Sequence, residues 1–249
     1  MPPNECPYGR CDGGGFIWHL PSDEYPNGHY SVCRCHADEV RRKRARRLLA
    51  DAGMTVESIA PYTFARFLPE QAAVSAAGRK VLAEHKARLM AYAAKPDGWL
   101  VLMGSVGCGK THLAYAVVAE RLAAGRPTFY GSVPEVLDAL RRGFDDKQFD
   151  YDKRLATMQE VDLLVLDDLG AEHQTPWVAE KMFQIINYRY TRRLPLIVTT
   201  NLVVTTDGSM DPRIRSRLLD RQLCEVLTFP AGDYRQRRMP VSAPLEAGS

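Results

Sequence analysis

A glycine-rich loop between an apolar run and a helical run is the feature that most constrains how this chain can fold. Residues 104–111 match the pattern Gly-x-x-x-x-Gly-Lys-Ser/Thr at every fixed position. They directly follow the apolar run Trp99–Met103 and lead into the helical run Thr111–Ala124. Glycines let backbone N–H groups turn inward around phosphate groups, and the N-terminus of the following helix adds the positive end of its dipole. The order of strand, loop and helix therefore predicts a P-loop rather than a glycine-rich turn with a chance lysine.

The side chains of this loop have separate expected roles in binding a nucleotide. Lys110 is predicted to reach the β- and γ-phosphates, and Thr111 to place its hydroxyl on a Mg²⁺ ion that bridges them. ATP and Mg²⁺ are therefore the expected cofactors of this loop. The predicted nucleotide-binding residues are Gly104, Ser105, Val106, Gly107, Cys108, Gly109, Lys110, Thr111 and His112.

Two acids follow a second apolar run, Leu163–Leu166, and fit the Walker B arrangement. Asp167 is expected to hold Mg²⁺ through water, and Asp168 to orient the attacking water. A buried strand that merely leaves into an acidic, solvated turn has the same pattern, and the P-loop upstream favours the catalytic interpretation. Asn201 follows a third apolar run. It is a candidate to hydrogen-bond the attacking water or the γ-phosphate, although an Asn in this position is usually a turn residue.

After Gly98, short apolar runs alternate with longer helical segments, which indicates an α/β fold with a five-stranded parallel sheet. Helix starts are marked by Ser132 with Glu135 three residues on, a capping box, and by Thr175 before a proline. The length of 249 residues fits one large domain with a small appendage. The predicted strands are Trp99–Met103, Thr128–Gly131, Val161–Leu166, Leu196–Thr199 and Glu225–Phe229.

Four cysteines lie within the first 35 residues, in a segment with too little hydrophobic periodicity to bury a core alone. Four thiolates can enclose a tetrahedral Zn²⁺ and replace that core. The last two cysteines are closer together than zinc ligands usually are, so His36, His29 or His19 can take the place of one of them. Free thiols and a chance cluster are the alternatives. The predicted zinc ligands are Cys6, Cys11, Cys33 and Cys35.

A basic run, Arg41–Arg47, follows the cysteine segment, and six of its seven residues are Arg or Lys. Asp38 and Glu39 are expected in the first turn of its helix, and Gly53 at its end. Contacts to phosphates, contacts to an acidic protein surface and a solvated helix face all explain the run. The formal net charge of only +3 weakens the case for strong nonspecific DNA binding. Residues 141–154 mix aromatic and basic side chains, which fits either base stacking or helix packing.

The sequence predicts neither a membrane span nor a secretory signal. No apolar stretch approaches 18 residues, and the N-terminus has no basic segment followed by an apolar one. A cytoplasmic location is therefore expected. In that reducing compartment, clustered cysteines favour a metal over disulfides.

Five further motifs accompany the P-loop in a fixed order: Leu166–Glu172, Trp177, Ile185–Tyr190, Leu194–Asn201 and Arg213–Leu218. Together they resemble the AAA+ ATPases of the DnaC/DnaI helicase-loader type, with the IstB transposition ATPases as close relatives. The likeness runs from about Cys6 to Arg235. It implies that Asn201 is sensor 1, that Arg217 is an arginine finger reaching a neighbouring subunit's γ-phosphate, and that Arg235 is sensor 2. A guanidinium suits the last two roles because its planar donor fork stays charged and matches phosphate oxygens.

The resemblance also carries expectations about architecture and activity. Little chain remains after Phe229, so the lid of the AAA+ domain is expected to be abbreviated. Asp168 stands where many AAA+ proteins have Glu, which sets its carboxylate one methylene back and implies slow hydrolysis. The implied active sites, with the catalytic set Lys110, Asp167, Asp168, Asn201 and Arg217, lie between subunits of an oligomer.

The function that the resemblance implies is loading of a replicative DNA helicase onto single-stranded DNA, with the zinc module holding the helicase. One alternative is an IstB-like regulator of transposition that coats duplex DNA, although typical IstB-like chains lack the metal module. Another is a nucleotide-gated adaptor that hardly turns ATP over. The expected domains are a zinc-binding module at 1–40, a basic helix and linker at 41–77, the AAA+ ATPase domain at 78–238 and a flexible tail at 239–249.

Overall fold

A computed structural model describes residues 6–72, 75–145, 151–173 and 175–234 of the chain, so the expected tail at 239–249 lies outside the described residues. The strands in these ranges are β1 (Phe16–His19), β2 (His29–Val32), β3 (Trp99–Met103), β4 (Thr128–Ser132), β5 (Leu163–Leu169), β6 (Leu196–Thr200) and β7 (Cys224–Thr228). The helices are α1 (Arg34–Asp51), α2 (Val56–Ile59), α3 (Pro69–Ala72), α4 (Ala76–Ala94), α5 (Lys110–Ala123), α6 (Val133–Asp145), α7 (Tyr151–Glu160), α8 (Pro176–Thr191) and α9 (Pro212–Leu218).

Five of the strands form a parallel sheet in the order β4-β5-β6-β3-β7, which confirms the predicted fold class and strand number. The strand ends differ from the prediction by up to three residues. The largest difference is in β5, which continues through the two acids to Leu169. Because all five strands are parallel, the segments that follow β3, β5 and β6 come together at one edge of the sheet. That edge receives the P-loop, the acid pair and Asn201.

Helices cover both faces of the sheet, as β3, β4, β5 and β6 require, since nearly all of their residues are buried, whereas most of the edge strand β7 is exposed. One face packs against α4 and α5, and the other against α6, α8 and α9. The last turns of α1 join this core at the edge of the sheet. Leu48 belongs to the hydrophobic cluster on one face and Leu49 to the cluster on the other.

The structure confirms one predicted helix start and contradicts another. Thr175 caps α8 as predicted, because its side chain accepts a hydrogen bond from the Val178 N–H. The prediction that Asp38 lies in the first turn of the basic helix was wrong, because α1 already begins at Arg34, directly after Cys33. The cysteine cluster sets this start, since it draws the end of β2 and the first turn of α1 together.

Arg189 of α8 is buried and links this helix to the end of α7 and to the loops at the other edge of the sheet. Its guanidinium is fully buried and donates to backbone carbonyl oxygens at four positions: Met158, Gln159, Val161 and Pro195. Burial lowers its pKa to about 10, which leaves it charged at neutral pH. Arg189 therefore satisfies carbonyl groups that would otherwise be buried without partners.

The N-terminal segment forms an antiparallel ribbon of β1 and β2 instead of joining the large sheet. Phe16 pairs with Val32 across the ribbon, and Trp18 pairs with Tyr30. These four side chains share one face and are all exposed, with Tyr30 at 69%. We call them the ribbon face. Among the described helices, none has the length and apolar character needed to cross a membrane.

Candidate functional site

The P-loop lines a cavity of about 390 Å³ at the carboxyl edge of the sheet. Two of its glycines have positive φ angles, +73° at Gly107 and +102° at Gly109. A Cβ at Gly107 would lie 1.9 Å from the Asp233 Oδ1, and one at Gly109 would lie 2.5 Å from the Phe67 ring. Both the backbone conformation and the close neighbours therefore require glycine at these positions.

Lys110 lies at the base of this loop and is only 4% exposed. Its Nζ donates to the carbonyl oxygens of Gly104 and Ser105 at 2.8 and 2.9 Å. It also donates to the Asn201 Oδ1 at 2.8 Å. The predicted phosphate lysine and the predicted sensor amide, 91 residues apart in the sequence, are thus in direct contact.

Asp167 is buried beneath the loop, and hydroxyl groups hold both of its carboxylate oxygens. Thr111 donates to Oδ1 at 3.2 Å, and Thr199 donates to the same oxygen. Tyr130 donates to Oδ2 at 2.7 Å. Burial, followed by the charge of Asp167, raises the pKa of Tyr130 well above its usual value, so this phenol stays a donor. The hydroxyl of Thr111 and the carboxylate of Asp167 are the hard oxygen ligands that Mg²⁺ prefers, and their contact fits the predicted magnesium site.

Asp168 occupies an irregularity in β5 that turns its side chain towards the cavity. The ladder with β6 pairs Leu166 with Val198 and then Leu169 with Thr200, so β5 contains one extra residue. Asp168 adopts a positive φ of 57° at this bulge, and it lines the cavity. The second acid therefore faces the nucleotide side of the sheet edge, whereas the first stays buried.

Most of the predicted nucleotide-binding residues line the cavity. Gly104 and Ser105 instead lie below it and contribute the carbonyl oxygens that accept from the lysine. The residues of the predicted set in the cavity wall are Val106, Gly107, Cys108, Gly109, Lys110, Thr111, His112, Asp168 and Asn201. Arg235 lies outside the described residues.

Sequence analysis missed the opposite wall of the cavity, which comes from the segment before α4 and from the end of the described chain. Tyr234 donates its backbone N–H to the Gly107 carbonyl at 3.0 Å and its hydroxyl to the Gln71 Oε1 at 2.9 Å. The newly found wall residues are Arg66, Phe67, Leu68, Gln71, Ala171 and Tyr234. Two of them had a signal in the sequence: Tyr234 directly precedes the arginine that the resemblance marks, and Ala171, which follows β5, lies within the motif Leu166–Glu172.

Arg217 lies on α9 and is not among the residues that line this cavity. Asn187 of α8 accepts from its Nε and Nη2 at 3.1 and 2.6 Å. The guanidinium also lies over the Phe183 ring, 4.7 Å from the centroid. These contacts hold the predicted finger on the outer face of α8 and α9.

The four predicted zinc cysteines come together at the ribbon. Their Sγ atoms all lie within 4.8 Å of one another, with 3.7 Å between Cys6 and Cys33 and 3.4 Å between Cys11 and Cys35. Four sulfurs around a tetrahedral Zn²⁺ at about 2.3 Å are separated by about 3.8 Å, so the cluster fits a zinc ion. Backbone N–H donors, that of Arg10 foremost, lower the pKa of the Cys6 thiol to about 6. In the described part of the chain, none of the candidate histidines joins this group.

A cleft of about 760 Å³ lies at the other edge of the sheet, between α1 and the turn from α5 to β4. Arg42 packs here, since a Cβ at Gly125 would lie 2.5 Å from the Arg42 Cγ. The cleft has more basic than acidic residues. Its charged lining is Arg34, Arg41, Arg42, Arg121, Arg126, Asp38 and Asp162. The basic run thus has one part that faces a concavity and another that faces solvent.

The mixed aromatic and basic stretch is only partly described. Lys147 and Phe149 lie outside the described residues. Tyr151 packs against the hydrophobic core and lies 5.3 Å from the Lys181 Nζ, while the Arg141 guanidinium lies over the Trp177 ring. Tyr151 and Arg141 therefore take part in helix packing.

Comparison with known proteins finds related sequences over most of the chain. Residues 54–241 match the family described as IstB-like ATP binding protein. The chain is 25% identical over 223 residues to the uncharacterized protein YqaM of Bacillus subtilis, which covers 86% of this chain and 68% of that protein. It is 30% identical over 132 residues to the insertion sequence IS5376 putative ATP-binding protein of Geobacillus stearothermophilus, covering 52% and 51% of the two chains. It is 26% identical over 121 residues to the replicative helicase loader DnaC of Escherichia coli, covering 49% and 48%. The matched regions thus span about half the length of the last two relatives.

Solved structures share the fold of the large domain. The crystal structure of the DnaC helicase loader superimposes with a TM-score of 0.56 at 22% identity, covering 69% of this chain and 98% of that one. The crystal structure of DnaI gives a TM-score of 0.53 at 23% identity, covering 71% and 92%. The predicted α/β fold of the AAA+ type is therefore confirmed.

Proposed function

Because the chain belongs to the family of IstB-like ATP-binding proteins, we propose that it is an ATPase that loads a replicative DNA helicase onto single-stranded DNA. The observation that carries the ATPase part is the convergence of Lys110, Asp168 and Asn201 on one cavity. The relationship to the helicase loader DnaC, at 26% identity, supports the loading part.

The proposed chemistry distributes simple roles among the residues at the sheet edge. Bound Mg²⁺ would neutralise the charge that develops on the phosphates. Thr111 and Asp167 would hold the ion, and Lys110 would turn its Nζ from the loop carbonyls to phosphate oxygens. Asp168 orients the attacking water, and Asn201 contacts that water or the γ-phosphate. Lys110→Ala should therefore abolish ATP binding, measured with a fluorescent ATP analogue.

We propose that Arg217 completes the site of a neighbouring subunit, because it is fixed on an outer face and does not line its own cavity. An active oligomer then needs Lys110 from one subunit and Arg217 from the next. Mixing two inactive variants, Lys110→Ala and Arg217→Ala, tests this directly. An equal mixture should recover about one quarter of the wild-type rate. A site is active only where a subunit with Lys110 is next to one with Arg217, and each of these residues is intact in half of the subunits.

The matched control for this mixing experiment is Arg221→Ala, which removes an exposed arginine nearby. This variant should hydrolyse ATP at the wild-type rate. A mixture that stays inactive, or an Arg217→Ala variant with full activity alone, would reject the role in a neighbouring site.

For helicase binding, we propose that the ribbon face is the docking surface. It presents aromatic and aliphatic side chains to solvent on a segment that the cysteines hold in shape, and exposed apolar patches mark interaction sites. Tyr30→Glu should abolish co-elution with the replicative helicase of the same organism in ATP. Met90→Glu, which alters an exposed apolar side chain on α4, should leave it intact. Equal binding by both variants would contradict the assignment.

For the DNA, we propose that the basic cleft contacts the phosphate backbone. Arginine forks in a concave surface match phosphate oxygens, and Arg42 is held there by its packing on Gly125. Arg42→Ala should weaken binding to single-stranded DNA and reduce the slope of log affinity against log salt. Arg44→Ala, on the same helix but outside the cleft, is the control, and an equal loss from both would favour a diffuse surface effect.

Another candidate function is regulation of DNA transposition on duplex DNA. The observation that favours it is the relationship to the insertion-sequence ATP-binding protein, at 30% identity. Preference for double-stranded over single-stranded DNA, together with absence of helicase co-elution, would select it.

A nucleotide-gated adaptor is the third candidate. It would be selected if the assembled, DNA-bound protein binds ATP with negligible turnover. The short side chain of Asp168 is consistent with such slow hydrolysis.

A further inference from the structure

The carboxylate of Asp167 is buried without an ion pair. Its residue is 2% exposed, and no salt bridge among the described residues includes it. A buried carboxylate must receive hydrogen bonds to remain charged. The three hydroxyl donors at its oxygens supply them. Thr111 is itself a proposed Mg²⁺ ligand, so Thr199 and Tyr130 are the two donors that hold the carboxylate without being proposed to bind the ion.

Thr199 contacts both acids at once. Its hydroxyl donates to the Asp167 Oδ1 and accepts from the Asp168 N–H at 2.9 Å. It lies on β6 opposite the bulge of β5, where the ladder would otherwise leave the Asp168 N–H without a strand partner. Thr199 is fully buried, so water does not replace its hydroxyl. One side chain therefore fixes the carboxylate of the first acid and the backbone of the second.

Tyr130 holds the other oxygen of the carboxylate from the neighbouring strand β4. Its ring stacks on Tyr115 of α5, with 4.5 Å between centroids, and Tyr115 stacks on Tyr62 at 4.8 Å. The stack fixes the direction of the Tyr130 hydroxyl, which is 2.7 Å from the Asp167 Oδ2. The two carboxylate oxygens are thus clamped from β6 and β4, on opposite sides of β5.

We propose that Thr199 and Tyr130 are positioning residues that hold Asp167 in the orientation needed for Mg²⁺, and that Thr199 also sets the direction of Asp168. This inference rests on the proposed use of Mg²⁺ and ATP at the P-loop. Groups that orient a metal ligand typically change metal affinity by about 10- to 100-fold when they are removed. Loss of either clamp therefore raises the Mg²⁺ concentration that nucleotide binding requires.

The test is a Mg²⁺ titration of the full-length protein with a fluorescent ATP analogue, followed by the same measurement in EDTA. Thr199→Val replaces the hydroxyl by a methyl group of similar size and should raise the Mg²⁺ midpoint about tenfold. Tyr130→Phe should shift it in the same direction while the ring stack remains. Thr199→Ser restores the hydroxyl and should restore the wild-type midpoint. In EDTA, all variants should bind the analogue as the wild-type protein does.

Two control variants separate positioning from general destabilisation. Thr200→Val removes the neighbouring hydroxyl, which donates to the Leu169 carbonyl at 2.7 Å and touches neither acid. It should lower the melting temperature without moving the Mg²⁺ midpoint. Tyr62→Phe alters the far end of the stack and should change neither quantity.

The outcomes distinguish this inference from the function on which it rests. Wild-type midpoints in both Thr199→Val and Tyr130→Phe would overturn it while leaving the nucleotide site intact, as would an equal shift in Thr200→Val. If Thr199→Val does not fold, Tyr130→Phe decides by itself. A wild-type protein that fails to bind the analogue with or without Mg²⁺ would reject the proposed ATPase and the positioning role with it.

Discussion

The cysteine ribbon and the parallel sheet are stabilised in different ways within one chain. In the described residues from 6 to 36, Cys33 is the only buried hydrophobic side chain, while the large apolar residues of the ribbon face solvent. Every residue of β6 is buried, by contrast, and both faces of the sheet are covered by helices. A zinc ion at the four cysteines would hold the ribbon in place of a core, whereas the sheet is held by burial. The apolar side chains that the ribbon does not bury remain available for a partner.

Metal removal should separate the two regions most strongly. Structural zinc sites contribute about 10–16 kcal/mol to folding, so a chelator should unfold the ribbon and leave the sheet folded. Hydrogen exchange checks this, with loss of protection in β1 and β2 and retained protection in β3 and β6. Cys35→Ser should act like the chelator, and Cys224→Ser, outside the cluster, should keep the zinc. A ribbon that stays protected after complete metal removal would break the comparison.

Arg189→Leu should destabilise the sheet domain and leave the ribbon and its zinc unchanged. It leaves buried carbonyl groups without their donor, a change expected to lower the free energy of unfolding of the sheet domain by about 3–5 kcal/mol. Urea denaturation measures this loss, and metal analysis should show unchanged zinc content. Arg192→Leu, at the exposed end of the same helix, should cost little. A loss below about 1 kcal/mol in Arg189→Leu would mean that water satisfies these carbonyls.

Acid should affect the ribbon before the sheet. Zinc binds the thiolate form of cysteine, so protons compete with the metal for the four predicted ligands, and the ribbon should lose its zinc as the pH falls. Asp220, whose pKa is lowered mainly by the Tyr190 hydroxyl, contributes above the usual carboxyl pKa and loses this contribution only at lower pH. NMR spectra recorded from pH 8 to pH 3 should lose the ribbon signals first. Simultaneous loss of both sets would contradict separate stabilisation.

The smallest expected loss of stability comes from removing the N-cap of a helix. Thr175→Ala removes the N-cap of α8 and should lower the stability of the sheet domain by about 1 kcal/mol, without releasing zinc. At α1, no side chain caps the helix, and Cys33 stands at that position instead. Cys33→Ala should therefore show its effect in zinc content rather than in the melting of the sheet. Thermal melting and metal analysis of both variants check the pair, and zinc loss in Thr175→Ala would indicate that the regions are coupled.

The parts of the site that could be predicted are those in which neighbours in sequence are neighbours in space. The P-loop carries its glycines, lysine and threonine within eight positions, and each predicted strand is a short buried run. The sequence also predicted that Lys110 and Asn201 act at one nucleotide site, because parallel strands bring their carboxyl ends to one edge, although their direct hydrogen bond was not predicted. The four cysteines were predicted as a group, although their spacing alone did not exclude a histidine ligand.

The remaining features depend on contacts between distant segments. Phe67 and Tyr234 are far apart in the sequence but both line the P-loop cavity, and neither segment has a periodic pattern that points there. The bulge at Asp168 is a property of the pairing between β5 and β6, which no single strand reveals. The early start of α1 arises because Cys33 and Cys35 must face the same cluster, a constraint that outweighs the preference of acids for the first turn.

The adjacent leucines of α1 determine where this protein can be divided or recombined. Leu48 and Leu49 insert into opposite layers of the core, so the last turns of that helix belong physically to the nucleotide-binding part even though they continue the cysteine segment. A chimera that exchanges the cysteine-containing N-terminal segment between relatives must place its junction before Ala45, the first buried residue of the helix. A junction only a few residues later would remove both leucines and open each layer at once.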